Sequence, residues 1–168
     1  PTPPLESLRA ILSLAATTIL FDSPVDIGTA HQQNDAEIDC ESEDRMQISF
    51  IHPSRAYFHA KTDDEYPTYV QLPAEDPDSE KGLCGHLRVH MYGTRRAAQG
   101  WHDDYSVVLE GLGFRRGISS TCVFYHAGRG IRTSVHGVDF TSSGRKNQLD
   151  RFKAQLFFVF VRSKHDIR

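Results

Sequence analysis

The stretch "CVFYHAGRGIRTSVHGVDFTSSG", residues 122–144, decides the fold. Val123, Phe124 and Tyr125 are β-formers, "AGRG" supplies a glycine-bearing turn, and Ile131 to Phe140 returns as a second β-forming run. A hairpin is expected, and with it an antiparallel sheet. The "TSSG" that follows Phe140 consists of turn-formers and reads as a loop. One acid, Asp139, stands in this stretch, next to Val138.

Helices flank the hairpin on both sides. Upstream, Ala97, Trp101, Tyr105, Val108 and Leu112 recur every three or four residues, and Gly111 and Gly113 close the segment. Downstream, Leu149, Phe152 and Leu156 share one helical face. At the start, "PPLESLRAILSLAA" places Leu5, Leu8, Ile11, Leu12 and Ala15 at helical spacing behind prolines, which a first turn tolerates. Between these helices, "MQISFI" reads as a strand broken by Pro53, and "TYVQL" as a short strand ended by Pro73. "GHLRVHMYG" alternates Leu87, Val89 and Met91 against His86, Arg88 and His90, the period of a half-buried strand. Strands and helices in this order predict an α+β domain.

Residues 19–45 break the pattern. Eight of them are Asp or Glu, with no sustained period, and between 23 and 44 the large aliphatics are Val25, Ile27 and Ile38. So few apolar groups do not offset the entropy of ordering a chain, so an exposed, poorly ordered acidic insertion is expected between a lead-in helix over 1–18 and the main region, 46–168.

Composition narrows the function classes. With 168 residues and 39% hydrophobic residues the chain supports one ordinary core. No run approaches 18 apolar residues and the start lacks a basic leader, so a soluble, intracellular protein without a membrane partner is expected, with cytoplasm and nucleus not distinguished. Cys40, Cys84 and Cys122 are odd in number and widely spaced, which speaks against a disulfide framework or a cysteine zinc site. Charge is divided: residues 1–80 hold 4 Lys/Arg against 16 Asp/Glu, and residues 81–168 hold 15 against 6. The basic half, with Arg95-Arg96, Arg115-Arg116 and Arg145-Lys146, could face phosphates or simply be a solvated surface.

Other chemistries find little support. His86 and His90 are four apart, but on a strand that separation is roughly 13 Å, too far to share an ion. Neither a GxSxG nucleophile elbow nor a phosphate loop is present, since "HAGRGIR" is a turn without a following helix.

Five blocks, in order and spacing, carry a resemblance: "PSRAYFHA", "YVQLP", "MYGTRRAAQGW", "GLGFRRGISSTCVFYH" and "VHGVDFTSSG". Together they resemble the reverse transcriptase domain of copia-type retrotransposon Pol polyproteins, from Ser54 to about Phe158. The opening helix resembles the one that precedes the first catalytic strand in that family; the acidic segment has no counterpart. The resemblance implies an RNA-directed DNA polymerase with a palm and partial fingers, an antiparallel sheet backed by helices. It implies two-metal phosphoryl transfer with Mg²⁺, acting on dNTP and an RNA/DNA primer-template. A thumb and a ribonuclease H domain would follow Phe158, and "VRSKHDIR" resembles neither.

The family holds its metals with three aspartates, one opening the block that here reads "HPSRAYFHA" and two at a hairpin tip. By position they fall on His52, Val138 and Asp139, so one carboxylate of three survives. Neutral imidazole prefers borderline metals, a protonated one repels Mg²⁺, and valine offers no ligand. The copy is therefore expected to bind Mg²⁺ weakly through Asp139 and to be catalytically inactive. Tyr57 falls where the family packs an aromatic residue under the nucleotide sugar, and Gly93 where a glycine lets backbone approach the nucleotide. Arg95 and Arg96 fall where basic residues meet nucleic acid phosphates. Each also has an ordinary reading, as core tyrosine, turn glycine and solvated charges. Alternatives are an active polymerase that borrows carboxylates from Asp44 or a partner chain, a non-catalytic nucleic-acid-binding relic using the basic half, and a pseudogene product without function. If the family's architecture is present, His52 and Asp139 lie within roughly 8 Å, on neighbouring strands of one sheet.

Overall fold

The three helices and the strands at 46–51, 69–71 and 84–86 follow the expected order, but four strands rather than two lie between the second and third helices. The computed structural model describes residues 5–21 and 46–162. Helix α1 spans Leu5–Phe21, strand β1 Met46–Ile51, β2 Tyr69–Gln71 and β3 Cys84–His86. Helix α2 spans Ala97–Gly111, followed by β4 Arg115–Arg116, β5 Val123–His126, β6 Ile131–His136 and β7 Asp139–Arg145, and α3 closes the chain over Lys146–Arg162. The domain is α+β, with a five-stranded antiparallel sheet in the order β1-β7-β6-β5-β4 and a separate β2-β3 pair. The acidic insertion expected over 19–45, with Cys40 and Asp44, lies outside the described residues apart from its first three, which continue α1 to Phe21.

The β5-β6 hairpin forms as expected, but its return strand ends at His136 rather than running to Phe140, because the chain turns at Gly137-Val138 into β7. A short 3-10 turn, Ala127–Arg129, ends at Gly130 with φ +63°, a left-handed conformation that glycine adopts without penalty. The expected loop at Thr141 to Gly144 is instead the middle of β7, paired on both sides by β1 and β6. Turn propensity loses here because the position is central and buried on both faces, where small side chains allow close packing. Thr133 and Ser142 hydroxyls hydrogen-bond at 2.9 Å between β6 and β7. Gly144 packs closely, since a Cβ there would lie 3.3 Å from Ile131 Cγ1.

Pleating sorts the two faces. Ile51, Phe140 and Val135 stand opposite one another across β1, β7 and β6, and so project to the same side. That side carries the core: Phe140, Val135, Ile131 and Phe124 from the sheet, Trp101, Tyr105 and Leu109 from α2, and Leu149, Phe152, Leu156 and Phe160 from α3. Helix α1 packs against β1, β6 and β7. Its buried Ile11 and Ala15 lie outside that cluster, so it covers the opposite face; Leu5 is exposed.

The half-buried strand expected across "GHLRVHMYG" is shorter than its alternation implies. Pairing stops at His86, and only Val89 makes a further bridge, to Lys61. His90 turns inward against α2 rather than outward to solvent, with 6% of its surface exposed. Gly100 makes this possible: a Cβ at that position would stand 2.1 Å from His90 Nε2. Gly100→Ala is therefore expected to destabilise the fold by about 1–2 kcal/mol, because displacing a packed ring outweighs the roughly 1 kcal/mol gained in helix propensity. A urea unfolding midpoint checks the sign.

Candidate functional site

Register brings the sequence-predicted residues together at one end of the sheet. Strand β1 pairs antiparallel with β7 up to Ile51 opposite Phe140, so the next residues, His52 and Asp139, emerge side by side. On the other side of Asp139, β6 and β7 meet through a two-residue turn, Gly137-Val138, in which Gly137 has φ +61°. His52 Nδ1 and Asp139 Oδ1 lie 2.7 Å apart, well inside the separation expected from sequence. Val138 points partly into the core cluster instead of toward this pair.

The pair is open to solvent, with the side chains 65% and 59% exposed. A contact of this kind contributes about 1 kcal/mol or less. His52→Ala is thus expected to shift the unfolding midpoint only slightly, by no more than about 1 kcal/mol; a larger loss would mean that the pair holds β1 to the hairpin.

Two-metal chemistry needs several anionic oxygens around adjacent ions. Among the described residues, Asp139 is the carboxylate of the three matched positions, one of its oxygens meets an imidazole, and the neighbouring position is aliphatic. These residues do not fit a pair of Mg²⁺ ions. Among the described residues, no group of three or more His, Cys, Asp or Glu is placed to hold a metal ion.

Tyr57 sits in a 3-10 turn, Ala56–His59, half-buried against the core, and its ring stacks on Tyr92 at 4.4 Å between centroids. That contact brings the Gly93 turn, at φ +85°, beside the turn carrying Tyr57. Arg55, which opens the turn, has φ 57° and is the one non-glycine residue with positive φ among those described. Such a conformation costs about 1 kcal/mol or more and sets how the chain enters the turn that carries Tyr57. Arg95 and Arg96 are both exposed, but Arg96 is engaged, its guanidinium 3.9 Å from the centroid of Tyr66. Several other cations are also occupied within the chain: Arg116 with Glu110 at 2.9 Å, Arg129 with Gln155 at 2.6 Å, and Lys146 with Asp150 at 3.3 Å.

Sequence reading missed a second place. Between the segment from Phe58 to Tyr66 and one face of α2 lies an open cleft of about 790 Å³, into which His59, His90, Asp103 and Asp104 look. Burial, and then the Arg96 charge, push the His90 imidazole below its ordinary value, while burial raises the Asp104 carboxyl against an opposing pull from His59. On the α2 side the cleft is lined by Gln99, Gly100, Asp103, Asp104 and Val107, a face that the sequence reading did not single out.

His102 is lowered as well, chiefly by burial, and bonds Tyr105 Oη at 2.7 Å. Burial likewise holds Tyr105 well above its ordinary value, so the hydroxyl keeps its proton. Groups whose folded values lie below 6.5 take up protons more readily when unfolded, so their contribution is complete above that pH and is lost as pH falls through the folded values. Unfolding midpoints are therefore expected to fall between pH 7.5 and about 5.5, and His102→Gln should flatten part of that slope.

No protein-family model, curated protein or solved structure matches this chain.

Proposed function

We propose that this chain is a degenerate reverse-transcriptase palm of copia type, an RNA-directed DNA polymerase domain whose catalytic carboxylates have been replaced. The reading rests first on the five sequence blocks. The observation that carries it into three dimensions is the meeting of His52 and Asp139 at the end of β1 and the β6-β7 turn. Residues 87 apart in sequence, matched to metal-binding positions by the resemblance alone, are neighbours at one end of the sheet. The stacking of Tyr57 on Tyr92 beside Gly93 is consistent with the same frame.

On this reading Mg²⁺, dNTP and an RNA/DNA primer-template are the family's ligands, and the chain does not use them catalytically. The alternative of a nucleic-acid-binding relic would use the basic half, in which Arg96, Arg116, Arg129 and Lys146 contact neighbouring side chains while Arg95, Arg115, Arg151 and Lys153 are exposed. Primer extension on an RNA template tests the proposal: no Mg²⁺-dependent incorporation by the unmodified chain is expected.

A further inference from the structure

The two faces of the five-stranded sheet are unequal. Toward α2 and α3 the sheet presents Phe140, Val135, Ile131 and Phe124, all fully buried. Side chains alternate along a strand, so Thr141 and Ser143 on β7 and Ser134 on β6 point to the other side, with Ser134 directly opposite Thr141 in the register. Helix α1 packs against β1, β6 and β7 on that side. In the middle of the sheet it covers a patch of hydroxyls.

Apolar gain under α1 is small. Where the same face does carry large apolar side chains, Ile48 opposite Ser143 and Phe50 opposite Thr141, the helix leaves both exposed. Of the side chains described along α1, Ile11 and Ala15 are buried and Leu8 and Leu12 half-buried, whereas Leu5 and Leu14 are exposed. Aliphatic contact with serine and threonine removes less apolar surface from water than the contact of α2 and α3 with rings and branched chains on the other face.

The hydroxyls themselves oppose the packing. Ser134 and Ser143 are almost wholly buried, and their Oγ atoms meet no hydrogen-bond partner among the described residues. A hydroxyl stripped of water without a compensating bond works against whatever covers it. Ser142, on the core face, differs, since its hydroxyl is bonded to Thr133 at 2.9 Å.

We propose that α1 is a detachable cover, which lifts from the sheet as a unit while α2, α3 and the five strands stay folded. Lifting returns Ser134 and Ser143 to water and opens the β1-β7-β6 face beside Ile48 and Phe50. Weak apolar anchoring and two unbonded hydroxyls bring the closed and open arrangements close in free energy, the condition for a local two-state element.

Native-state hydrogen exchange of the whole chain, resolved by residue with NMR, tests this. A 17-residue helix is marginal on its own in water, so lifting exposes its amides to exchange. Corrected for intrinsic rates, the amides of Ile11 to Ala15 are expected to exchange about a hundredfold or more faster than those of Phe140 to Ser142 in β7. Ser134→Ala with Ser143→Ala removes both unbonded hydroxyls and should slow exchange in α1 about tenfold, whereas Ser142→Ala should not slow it. Protection of α1 equal to that of β7, unchanged α1 exchange in the double variant, or equal slowing by Ser142→Ala would overturn the proposal.

Discussion

Phe140→Ala is expected to lower stability by about 3–5 kcal/mol. The ring is fully buried and lies at the centre of an aromatic cluster, 6.3 Å from Trp101, 5.7 Å from Tyr105 and 6.5 Å from Phe160 between centroids. Edge-on contacts of this kind add to the hydrophobic term, and truncation leaves a void that helices held on a sheet cannot close. Phe140 also faces Ile51 and Val135 across its two neighbouring strands, so the same change loosens β1 and β6 together. Since domains of this size are held by about 5–15 kcal/mol, the variant should unfold at a much lower urea concentration. Phe157→Ala, on the exposed side of α3, is the matched control and should cost little. Equal losses for the two would show that the core does not centre on Phe140.

The second large effect concerns chemistry. On the proposed reading, carboxylates at both positions, His52→Asp with Val138→Asp, are expected to be necessary for any Mg²⁺-dependent nucleotide incorporation, and either change alone should give none. Two cations a few ångströms apart repel strongly, and a single Asp139 supplies too little negative charge to hold them. The structure sharpens this expectation, because Asp139 is bonded to His52 and Val138 is drawn partly into the core. His52→Asp removes the imidazole and places a carboxylate beside Asp139, where the two repel until a cation arrives. Val138→Asp must turn outward from the apolar cluster to contribute. Pro53 follows the restored aspartate and lacks a backbone donor, which limits how far β1 can extend its pairing. Incorporation by either single variant would break the argument that several carboxylates are needed.

The helices were the most legible part of the fold, because Trp101, Tyr105, Leu149, Phe152 and Leu156 advertise their faces through spacing and glycines mark where α2 stops. The β5-β6 hairpin was legible for a similar reason: β-formers on both sides and a glycine at the left-handed position. Strand β7 was not. Its Thr141, Ser142, Ser143 and Gly144 carry no local strand preference, and pairing by β1 and β6 decides their conformation. His90 was misread in the opposite direction. Strict alternation around it imitates a strand, but the space left by Gly100 on a neighbouring helix draws the imidazole inward, and that space cannot be seen in a local window. At the candidate site the proximity of His52 and Asp139 was legible from the resemblance, whereas their direct hydrogen bond was not, since it depends on the strand register. The cleft beside α2 left no signal beyond scattered polar residues, as it joins segments that only tertiary packing brings together.

The proposed reading turns on the sheet end carrying His52, Val138 and Asp139 being unable to support polymerase chemistry. Primer extension by the unmodified chain, on an RNA template with Mg²⁺ and all four dNTPs, tests it most directly. The account predicts extension no greater than that of a heat-killed control. Mg²⁺-dependent extension above that control, abolished by Asp139→Asn, would contradict it, because one in-chain carboxylate would then be sufficient.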